Sequence, residues 1–499
     1  FREPNLRATE VEIFDGLVAE SQNRFPSLNH DVGAVNALAG KLFSAGFYYK
    51  TFMGPGIGPL RSTKFWMLAE RFIRKAAGLG RAGLAPDPDR YERINAFCDM
   101  LVIGGGDAGR TAAETAAKAG LRVMLADANP SKGYDIEGVQ ILTRTMVWGV
   151  YDGNTYAATE RVADHKSTRL PGEPRQRHWV IRAKTAIHAT GAAERPLVFP
   201  CNDLPGVMLC SMLSQLAANG IAPSGPVCLF TNNDTAYQTA ADLAGLGTKV
   251  SAIIDVRTDV SNSAKALAKV AGAEVISGAA IVATEGKKAL NAVNFQIFDA
   301  VTGQVSGEPR KIECAILGIS GGWSPSIQLA SQAGGKPVWN EPLQAFLPPE
   351  PSPGQDFQVC GSAAGIFGRD EAKADAVIAA ENAIAKLAGR RPPTTKRPDC
   401  YPSYFAAPIH EIRGGPKSQK AFVDFQHDVT ADDIRLANLE GFSAPEHMKR
   451  YTTLGMATEQ GRNAAIPALA ILGGEQGKTI AQTGATRCRP PASGVSFGV

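Results

Sequence analysis

The sequence lacks closely spaced cysteine pairs. Its eight cysteines are scattered, and no two of them stand in a C-x-x-C arrangement. This absence argues against a zinc knuckle, an iron–sulfur cluster and a redox-active dithiol. The sequence also lacks an apolar run of about 20 residues, which a membrane-spanning helix requires. We therefore expect buried, reduced thiols in a cytoplasmic protein that has no membrane segment.

The sequence also lacks a large excess of positive or negative charge, and it lacks metal-binding and hydrolase motifs. A net charge of +4 over 499 residues gives no electrostatic reason to expect nucleic acid or a membrane surface as a partner. The seven histidines show neither H-x-x-x-H nor H-E-x-x-H spacing, so we expect no bound metal. No G-x-S-x-G element is present, which argues against a serine hydrolase. The length allows roughly two to four globular domains.

The strongest signal that is present is the glycine-rich stretch LVIGGGDAGR, residues 101–110. Gly104, Gly106 and Gly109 stand in G-x-G-x-x-G register between a short apolar run and an alanine-rich helical run that includes Asp107. In such turns the first glycine permits the tight bend, the second lets a pyrophosphate approach the backbone, and the third lets the helix pack closely. The helix N-terminus then faces the phosphates with free N–H groups. The pattern predicts a dinucleotide site, and a merely structural tight turn is the alternative.

Asp127 indicates which dinucleotide is bound. It lies near the end of the next apolar run, at about the 20-residue spacing of a carboxylate that binds the ribose hydroxyls. An acid at this position would repel a 2′-phosphate, so NAD or FAD is favoured over NADP.

A second unit of the same type follows but departs from the glycine pattern. In the stretch FTNNDTAY, the residues Thr231, Asn232 and Asn233 occupy the turn where glycines would stand, and Asp234 adds a negative charge. These side chains would crowd a pyrophosphate. We interpret the unit as an inserted nucleotide-binding fold that has lost its ligand, with a modified NADH site as the alternative.

These patterns predict an α/β protein built from two nested Rossmann-like dinucleotide-binding domains, similar to the flavin-dependent disulfide reductases, with a mostly helical C-terminal domain. We expect an N-terminal wrapping arm, a dinucleotide-binding domain in two parts that flank the inserted degenerate domain, and the helical domain. Their predicted ranges are 1–97 for the arm, 98–220 and 336–395 for the two parts, 221–335 for the insertion and 396–499 for the helical domain.

Several longer stretches resemble one family. The segments ATGAAERPLVFPCNDLPGVML, AFVDFQHDVTADDIRLA, KRYTTLGMATEQGRN and RPPASGVSFG follow in the order that is found in the α subunit of heterotetrameric sarcosine oxidase. The family's α subunits are nearly twice as long, with a ferredoxin-like domain first and a folate-binding domain last. The resemblance therefore implies that this chain is the central piece, or a shortened homologue.

The resemblance also implies a reaction and its cofactors. The family oxidises the N-methyl group of sarcosine to give glycine and peroxide. A β subunit carries FAD, FMN lies at the α/β boundary, and smaller γ and δ subunits complete the complex. The α subunit binds NAD. By this resemblance the chain would be an NAD-binding subunit that is inactive alone.

Cofactor-binding residues follow from the same resemblance. The NAD motif falls on the three glycines and Asp127. Thr190 and Gly191 match the family's ATG turn, which lies near the dinucleotide. Flavoproteins of this fold commonly have Gly-Asp at a late turn, where this chain has Gly361 and Ser362; the missing acid fits a ligand other than flavin.

The segment 447–463 is the candidate for the FMN boundary. It combines cations and hydroxyls with glycine turns, which suits a phosphate; these residues are Lys449, Arg450, Thr452, Thr453 and Arg462. A helix with a solvated basic face is the alternative.

A sister group of amino-acid dehydrogenases and hydrogen cyanide synthase carries a cysteine-ligated 2Fe–2S site in the equivalent region. Here Asp424, Gln426 and Glu459 stand at cysteine positions. Since iron clusters require thiolates, we expect no cluster.

Two other functions stay open. The chain could be a self-contained flavin- and nicotinamide-dependent oxidoreductase, such as an amino-acid dehydrogenase subunit. It could also be a scaffold subunit in which NAD is purely structural.

Overall fold

The computed structural model describes residues 86–499 except 131–132, 134, 399–403 and 415–418. Before residue 86 it describes only 11–22, 24–27, 29–35, 67, 70–71, 74–75 and 84. Most of the predicted arm over 1–97 therefore lies outside the described residues. The chain forms two compact units, of which the first comprises 1–94, 159–179 and 495–499 and the second comprises 95–158 and 180–494.

Strands and helices alternate along most of the described chain. The strands are β1 Tyr91–Ile103, β2 Val123–Ala126, β3 Val139–Leu142, β4 Thr145–Tyr151, β5 Thr155–Arg161, β6 Gln176–His188, β7 Ala192–Glu194, β8 Val207–Leu209, β9 Val227–Thr231, β10 Val250–Asp255, β11 Glu274–Ser277, β12 Ala279–Gly286, β13 Leu290–Asp299, β14 Gln304–Glu313, β15 Ile316–Ser320, β16 Trp323–Pro325, β17 Val338–Asn340, β18 Ala345–Leu347, β19 Phe357–Val359, β20 Phe422–Asp424 and β21 Val429–Thr430. The α-helices are α1 Asp107–Lys118, α2 Cys210–Ala218, α3 Thr235–Gly245, α4 Asn262–Ala271, α5 Gln328–Ala333, α6 Arg369–Leu387, α7 Ala431–Leu439, α8 Pro445–Thr452, α9 Ala465–Gln476 and α10 Ile480–Thr483.

The small first unit is held by ion pairs in its described part. Asp89 accepts hydrogen bonds from Arg169 and Arg175. Glu160 accepts one from the Arg177 guanidinium and one from the Trp179 indole, both at 2.8 Å. We assign no cofactor role to this unit.

A seven-stranded sheet carries the glycine turn at the end of its strand β1. The strand order is β3-β2-β1-β6-β5-β4, and β19 pairs with β6. Strands β1, β2 and β3 are parallel, and β2 is buried along its whole length, as expected for the centre of a covered parallel sheet. Helices α1 and α6 pack on it through a shared core of alanines, because small side chains let the helices approach closely; these are Ala112, Ala113, Ala116, Ala376, Ala379, Ala380 and Ala383.

A five-stranded parallel sheet forms the inserted domain, with the order β11-β10-β9-β15-β8. Strand β8 and helix α2 lie before residue 221, inside the range predicted for the first domain, yet β8 pairs with β15 of the second sheet. The reason is that a three-residue strand has too few positions to show a periodic pattern. The nested α/β arrangement that the sequence predicts is present.

Two smaller sheets complete this part of the fold. Strands β12, β13 and β14 form an antiparallel sheet whose buried residues share a core with β9, β10 and β15. Strands β7 and β16 form an antiparallel ribbon that pairs Trp323 with Glu194. This ribbon connects the seven-stranded and the five-stranded sheet along the chain, since β7 follows β6 and β16 follows β15.

Helices α7 to α10 and the hairpin β20–β21 make up the C-terminal region. Helix α7 begins with a capping box, in which the Thr430 hydroxyl accepts the Asp433 N–H and the Asp433 carboxylate accepts the Thr430 N–H. Within the described residues, no helix is long and apolar enough to cross a bilayer. The described cysteines are all free thiols, and burial raises the pKa of the Cys210 and Cys228 thiols.

Candidate functional site

The glycine turn after β1 brings three backbone segments into contact. Gly104 has a φ of +106°, and a Cβ there would lie 2.3 Å from the Ala189 carbonyl oxygen. A Cβ on Gly109 would lie 1.8 Å from the Gly104 oxygen. A Cβ on Gly106, in contrast, would meet no protein atom within 4 Å. Two of the glycines are therefore required by packing, whereas Gly106 faces open space, as a pyrophosphate-binding position requires.

The N-terminus of α1 is positively polarised at this turn. Gly106 is the N-cap and has no side chain to satisfy the first N–H groups. Asp107 follows, but its carboxylate accepts hydrogen bonds from Arg369 and Arg110. The Arg369 bond is the main reason that the pKa of Asp107 is lowered. The acid is thus neutralised by two guanidinium groups, which leaves the turn suited to an anion.

Asp127 ties the end of β2 to the glycine turn. Its Oδ2 accepts the Gly105 N–H at 2.9 Å, and its Oδ1 accepts the Asn129 N–H at 2.9 Å and the Asn129 side-chain amide at 3.0 Å. The side chain is half-buried. Since each carboxylate oxygen has two lone pairs, Asp127 keeps acceptor capacity for hydroxyl donors while its orientation is fixed.

Thr190 and Gly191 form a wall beside this turn. The Thr190 hydroxyl donates to the Ser326 carbonyl at 2.7 Å, and the Ser326 N–H donates to the Gly191 carbonyl at 2.9 Å. Both bonds join the end of β6 to the residue after β16. The Thr190 side chain therefore fixes the wall, and the backbone of Gly191, at a φ of +73°, is the part that a ligand could approach.

The late turn at Gly361 packs directly on α1. A Cβ on Gly361 would lie 2.9 Å from the Ala108 Cβ. The Gly361 N–H donates to Asp375 at 2.9 Å, and the Arg397 guanidinium donates to both oxygens of Asp375, at 2.5 and 2.7 Å. Sequence reasoning missed Asp375 and Arg397, because one stood within an alanine-rich helix and the other in a stretch that looked like a linker.

His188 lies under this site as a neutral core residue. It stacks on Phe357 with ring centroids 4.7 Å apart, and its Nε2 is 3.2 Å from the Tyr156 hydroxyl. Burial lowers the pKa of His188 to about 3. His188 lies two residues before Thr190, but it is fully buried. We therefore assign it no chemical role, because a buried imidazole cannot exchange a proton with a ligand.

We expect His188 to make the protein sensitive to acid. The unfolded state binds the proton below about pH 6.5 whereas the folded state does so only near pH 3, so the free energy of unfolding falls as the pH falls through this window. The loss is about 1.4 kcal/mol per pH unit. Denaturant titrations between pH 6 and pH 4 would show a shallower dependence for His188→Gln. The exposed His447→Gln should keep the wild-type slope, and equal slopes for both variants would contradict the prediction.

The corresponding turn of the inserted domain is filled by protein. Asn232 and Asn233 are completely buried. The Asn232 side-chain amide donates to the carbonyls of Ala407 and Ile409, each at 3.0 Å, and the Ala407 N–H donates to the Asn232 carbonyl at 2.9 Å. We call residues 404–412 the strap. Its Ala406 forms an isolated β-bridge with Asn233 at this turn.

The charged side chains near the strap are also used internally. Arg257 pairs with Asp255, at the end of β10, and with Asp234, and its Nη1 donates to the Phe405 carbonyl at 3.3 Å. The Asn233 amide donates to Ser320. The polar groups of the inserted turn are therefore hydrogen-bonded to the strap and to one another.

The basic segment 447–463 presents only part of its predicted set. Thr452 is buried, and its hydroxyl donates to the Met448 carbonyl at 2.9 Å, while the Thr453 hydroxyl donates to the Thr452 carbonyl at 2.6 Å. Both hydroxyls are thus engaged within the turn that ends α8. Arg450 is exposed and lies 3.5 Å from Glu446.

Lys449 and Arg462 are the other two cations of the predicted set. Both lie near Cys488, where their charges oppose the burial that raises the pKa of this thiol. Arg462 donates from Nη2 to the Ala492 carbonyl at 3.0 Å, whereas its Nε is buried and has no hydrogen-bond partner. Arg462 is thus partly engaged by the backbone near the C-terminal end, and Lys449 is half-buried.

The three residues at the cysteine positions form a hydrogen-bonded group. Asp424 accepts the Gly455 N–H at 2.7 Å, Gln426 accepts the Glu459 N–H at 3.3 Å, and Glu459 accepts the Gly461 N–H at 3.0 Å. Their oxygens thus hold the backbone of two loops together. They offer no thiolate to iron.

Comparison with known proteins shows which family the chain resembles. Residues 418–499 match the family described as the sarcosine oxidase A3 domain. The chain is 40% identical, over 99% of its own length and 51% of the relative's, to sarcosine oxidase subunit alpha of Rhizobium meliloti (strain 1021). It is 33% identical to sarcosine oxidase subunit alpha of Corynebacterium sp. (strain P-1), over 84% of this chain and 47% of that relative. The chain thus spans about half the length of the curated relatives it matches.

A solved structure shares the fold. The crystal structure of L-proline dehydrogenase from P. horikoshii superposes with a TM-score of 0.58 at 17% identity, covering 84% of this chain and 82% of that one. The predicted α/β fold and the predicted resemblance are both confirmed. Along almost its whole length this chain is similar to a sarcosine oxidase α subunit, and its residues 418–499 match the sarcosine oxidase A3 domain.

Proposed function

We propose that the chain is the NAD-binding α-type part of a heteromeric sarcosine-type oxidase. Its 40% identity to a protein named sarcosine oxidase subunit alpha carries the proposal. Oxidation of the N-methyl amine to glycine, with peroxide as the product of oxygen, would occur with flavins held mainly by a partner β subunit. The chain alone would be inactive toward sarcosine.

The glycine turn supports NAD as the ligand of this chain. Gly106 leaves room for the pyrophosphate, and the α1 N-terminus together with Arg110 and Arg369 favours its charge. Asp127 would accept the adenosine ribose hydroxyls. Gly191 and Gly361 would line the cleft with backbone, on either side of the turn. NAD bound there would supply binding energy and order; no hydride transfer is assigned to it.

We predict that the chain prefers NAD over NADP and that Asp127→Ala lowers the affinity for NAD by about 10–100-fold. The reason is that the variant loses charge-assisted hydrogen bonds to the ribose, each of which contributes roughly 1.5–3 kcal/mol. Isothermal titration with NAD⁺ and NADP⁺ measures both effects. Asp99→Ala is the matched control, because Asp99 also accepts a backbone N–H, from Arg122, but lies within β1, five residues before Gly104. Equal affinity of the wild type for the two dinucleotides would contradict the prediction.

The A3 domain supports a flavin boundary with the partner. FMN would lie between this chain and the β subunit, with its phosphate near Lys449 and Arg462, while FAD would be bound by the β subunit. Arg450 would add charge from the rim, and Thr452 and Thr453 would shape the turn through their internal hydrogen bonds. Smaller γ and δ subunits complete the proposed complex.

We predict that Lys449→Glu lowers the FMN content of the purified complex several-fold, because the variant places a like charge beside the phosphate. Flavin extraction and chromatography would quantify FMN against FAD. Lys478→Glu on the same domain is the control, since the exposed Lys478 ammonium donates to Gln476, two residues away. An unchanged ratio of FMN to FAD in the Lys449 variant would remove this residue from the flavin boundary.

The experiment that tests the whole proposal is purification of the chain alone and with its co-purifying partners, followed by mass analysis of extracted cofactors. We expect NAD on the isolated chain and sarcosine-dependent peroxide formation only in the complex. Flavin on the isolated chain would instead favour the self-contained flavin–nicotinamide oxidoreductase. Full oxidase activity in a complex whose α chain is stripped of NAD would favour the structural-scaffold role.

A further inference from the structure

We propose that the strap couples the dinucleotide site to the A3 domain, so that NAD binding and the packing of A3 stabilise each other. The inference rests on the proposed NAD site and concerns its regulation. The strap contacts three regions that are distant in sequence, namely the late turn of the dinucleotide site, the inserted domain and A3. Each contact involves buried groups or ion pairs. A shift of the strap at one of these contacts would therefore disturb the neighbouring contact.

The entry of the strap is anchored at the late turn. The Tyr404 hydroxyl accepts the Trp323 N–H at 3.0 Å, and the Tyr404 ring lies 4.6 Å from that of Phe367, a few residues after Gly361. Arg397, shortly before the strap, holds the Asp375 carboxylate that binds the Gly361 N–H. A ligand that orders the Gly361 turn would therefore order the start of the strap.

The middle of the strap is fixed in the inserted domain. Asn232 makes three hydrogen bonds with it, Arg257 makes one, and Asn233 pairs with Ala406 in an isolated β-bridge. Asn232 and Asn233 have no exposed surface. Displacement of the strap would break the bonds of the buried Asn232 amide to the Ala407 and Ile409 carbonyls, and an unsatisfied buried amide is costly. These bonds hold the strap in one position on the inserted domain. A shift of Tyr404 would therefore strain them and affect the residues that follow.

The exit of the strap is anchored at Val198, a few residues after β7, and at A3. The Val198 N–H donates to the His410 carbonyl and the Ile412 N–H donates to the Val198 carbonyl. Glu411 accepts two bonds from Arg435 of α7, at 2.6 and 2.7 Å. Helix α7 also packs in the domain that would meet the partner and FMN. The path from the dinucleotide cleft to the partner-binding region is therefore continuous in packed and hydrogen-bonded groups.

Reciprocal linkage follows from this arrangement. If bound NAD lowers the frequency of strap opening, then an ordered A3 domain must raise the affinity for NAD by the same factor. This gives the bound NAD a role that requires no redox step: it would favour the form of the α chain that is ready for its partner.

Hydrogen–deuterium exchange of the full chain, with and without NAD⁺, tests the coupling. We expect NAD⁺ to slow exchange at the glycine turn and, by about threefold or more, at the Ala407 and Ile412 amides and in α7. In Asn232→Ala the effect on the strap and α7 should be lost while the glycine turn is still protected. Asn219→Ala is the control, because the exposed Asn219 amide bonds only its own helix, at Gln215.

The outcomes separate the inference from the proposed function. Protection by NAD⁺ at the glycine turn alone, with an unchanged strap in the wild type, overturns the coupling and leaves the NAD site standing. Absence of protection at the glycine turn overturns both. The wild-type comparison decides the matter even where Asn232→Ala does not fold.

Discussion

Gly109→Ala is expected to destabilise the chain by about 3 kcal/mol and to abolish NAD binding. The added Cβ would lie 1.8 Å from the Gly104 carbonyl oxygen, 3.0 Å from its carbonyl carbon and 3.3 Å from the Ala189 Cβ. Two of these three neighbours are backbone atoms, so no rotamer change relieves the overlap. Either α1 moves away from β1 or the turn opens, and both changes misplace the N–H groups that would face the pyrophosphate.

Chemical denaturation monitored by far-ultraviolet circular dichroism measures the first effect, and titration with NAD⁺ measures the second. Gly245→Ala is the matched control in the inserted domain, because its Cβ would meet no atom and its φ is not in the left-handed region. That control should equal the wild type or exceed it slightly in stability, since alanine has less conformational freedom when unfolded. A Gly109 variant with wild-type midpoint and affinity would show that the turn is not held as tightly as the distances indicate.

The glycine turn could be predicted from the sequence because its requirements are steric and local. A tight bend at Gly104, an open face at Gly106 and a close helix at Gly109 each require glycine. The spacing of the three glycines therefore predicts the geometry of the turn. Asp127 could be predicted for a similar reason, since the end of a second parallel strand lies beside the first turn. The hydrogen bond from the Gly105 N–H to Asp127 shows that the two turns are adjacent.

The partners of the late turn could not be predicted, because they depend on tertiary contacts. Asp375 is an acid in an alanine-rich helix, and only the folded chain shows that it is buried against Gly361 and paired with Arg397. The strap is a similar case. Asparagines in place of glycines predicted a turn that would crowd a pyrophosphate, but they carried no information about which segment packs on that turn.

Side-chain availability was the other limit. A list of cations and hydroxyls in 447–463 predicts a phosphate site by composition alone. In the folded chain the hydroxyls of Thr452 and Thr453 bond to carbonyls of their own turn, and the Arg462 guanidinium donates to the Ala492 carbonyl. Composition identifies candidate residues for a phosphate site. Only the folded chain shows which of their side chains are already hydrogen-bonded within the protein.

Gly106→Ala is expected to have the opposite signature from the Gly109 variant, with an unchanged fold and an affinity for NAD that falls by on the order of 100-fold. A Cβ at Gly106 meets no protein atom within 4 Å, and the backbone there is extended at a φ of −70° and a ψ of −178°, which alanine adopts without strain. The methyl group would instead occupy the space at the α1 N-terminus that the pyrophosphate needs. Equilibrium unfolding should therefore match the wild type.

The pair of variants separates a binding turn from a structural one. A turn that serves only packing would tolerate alanine at Gly106 in every assay, because nothing in the protein contacts that Cβ. A turn that binds a dinucleotide would lose its ligand in both variants but its stability only in Gly109→Ala. Wild-type NAD affinity in a stable Gly106→Ala protein would contradict the proposed site, and with it the assignment of this chain as the NAD-binding part of an oxidase.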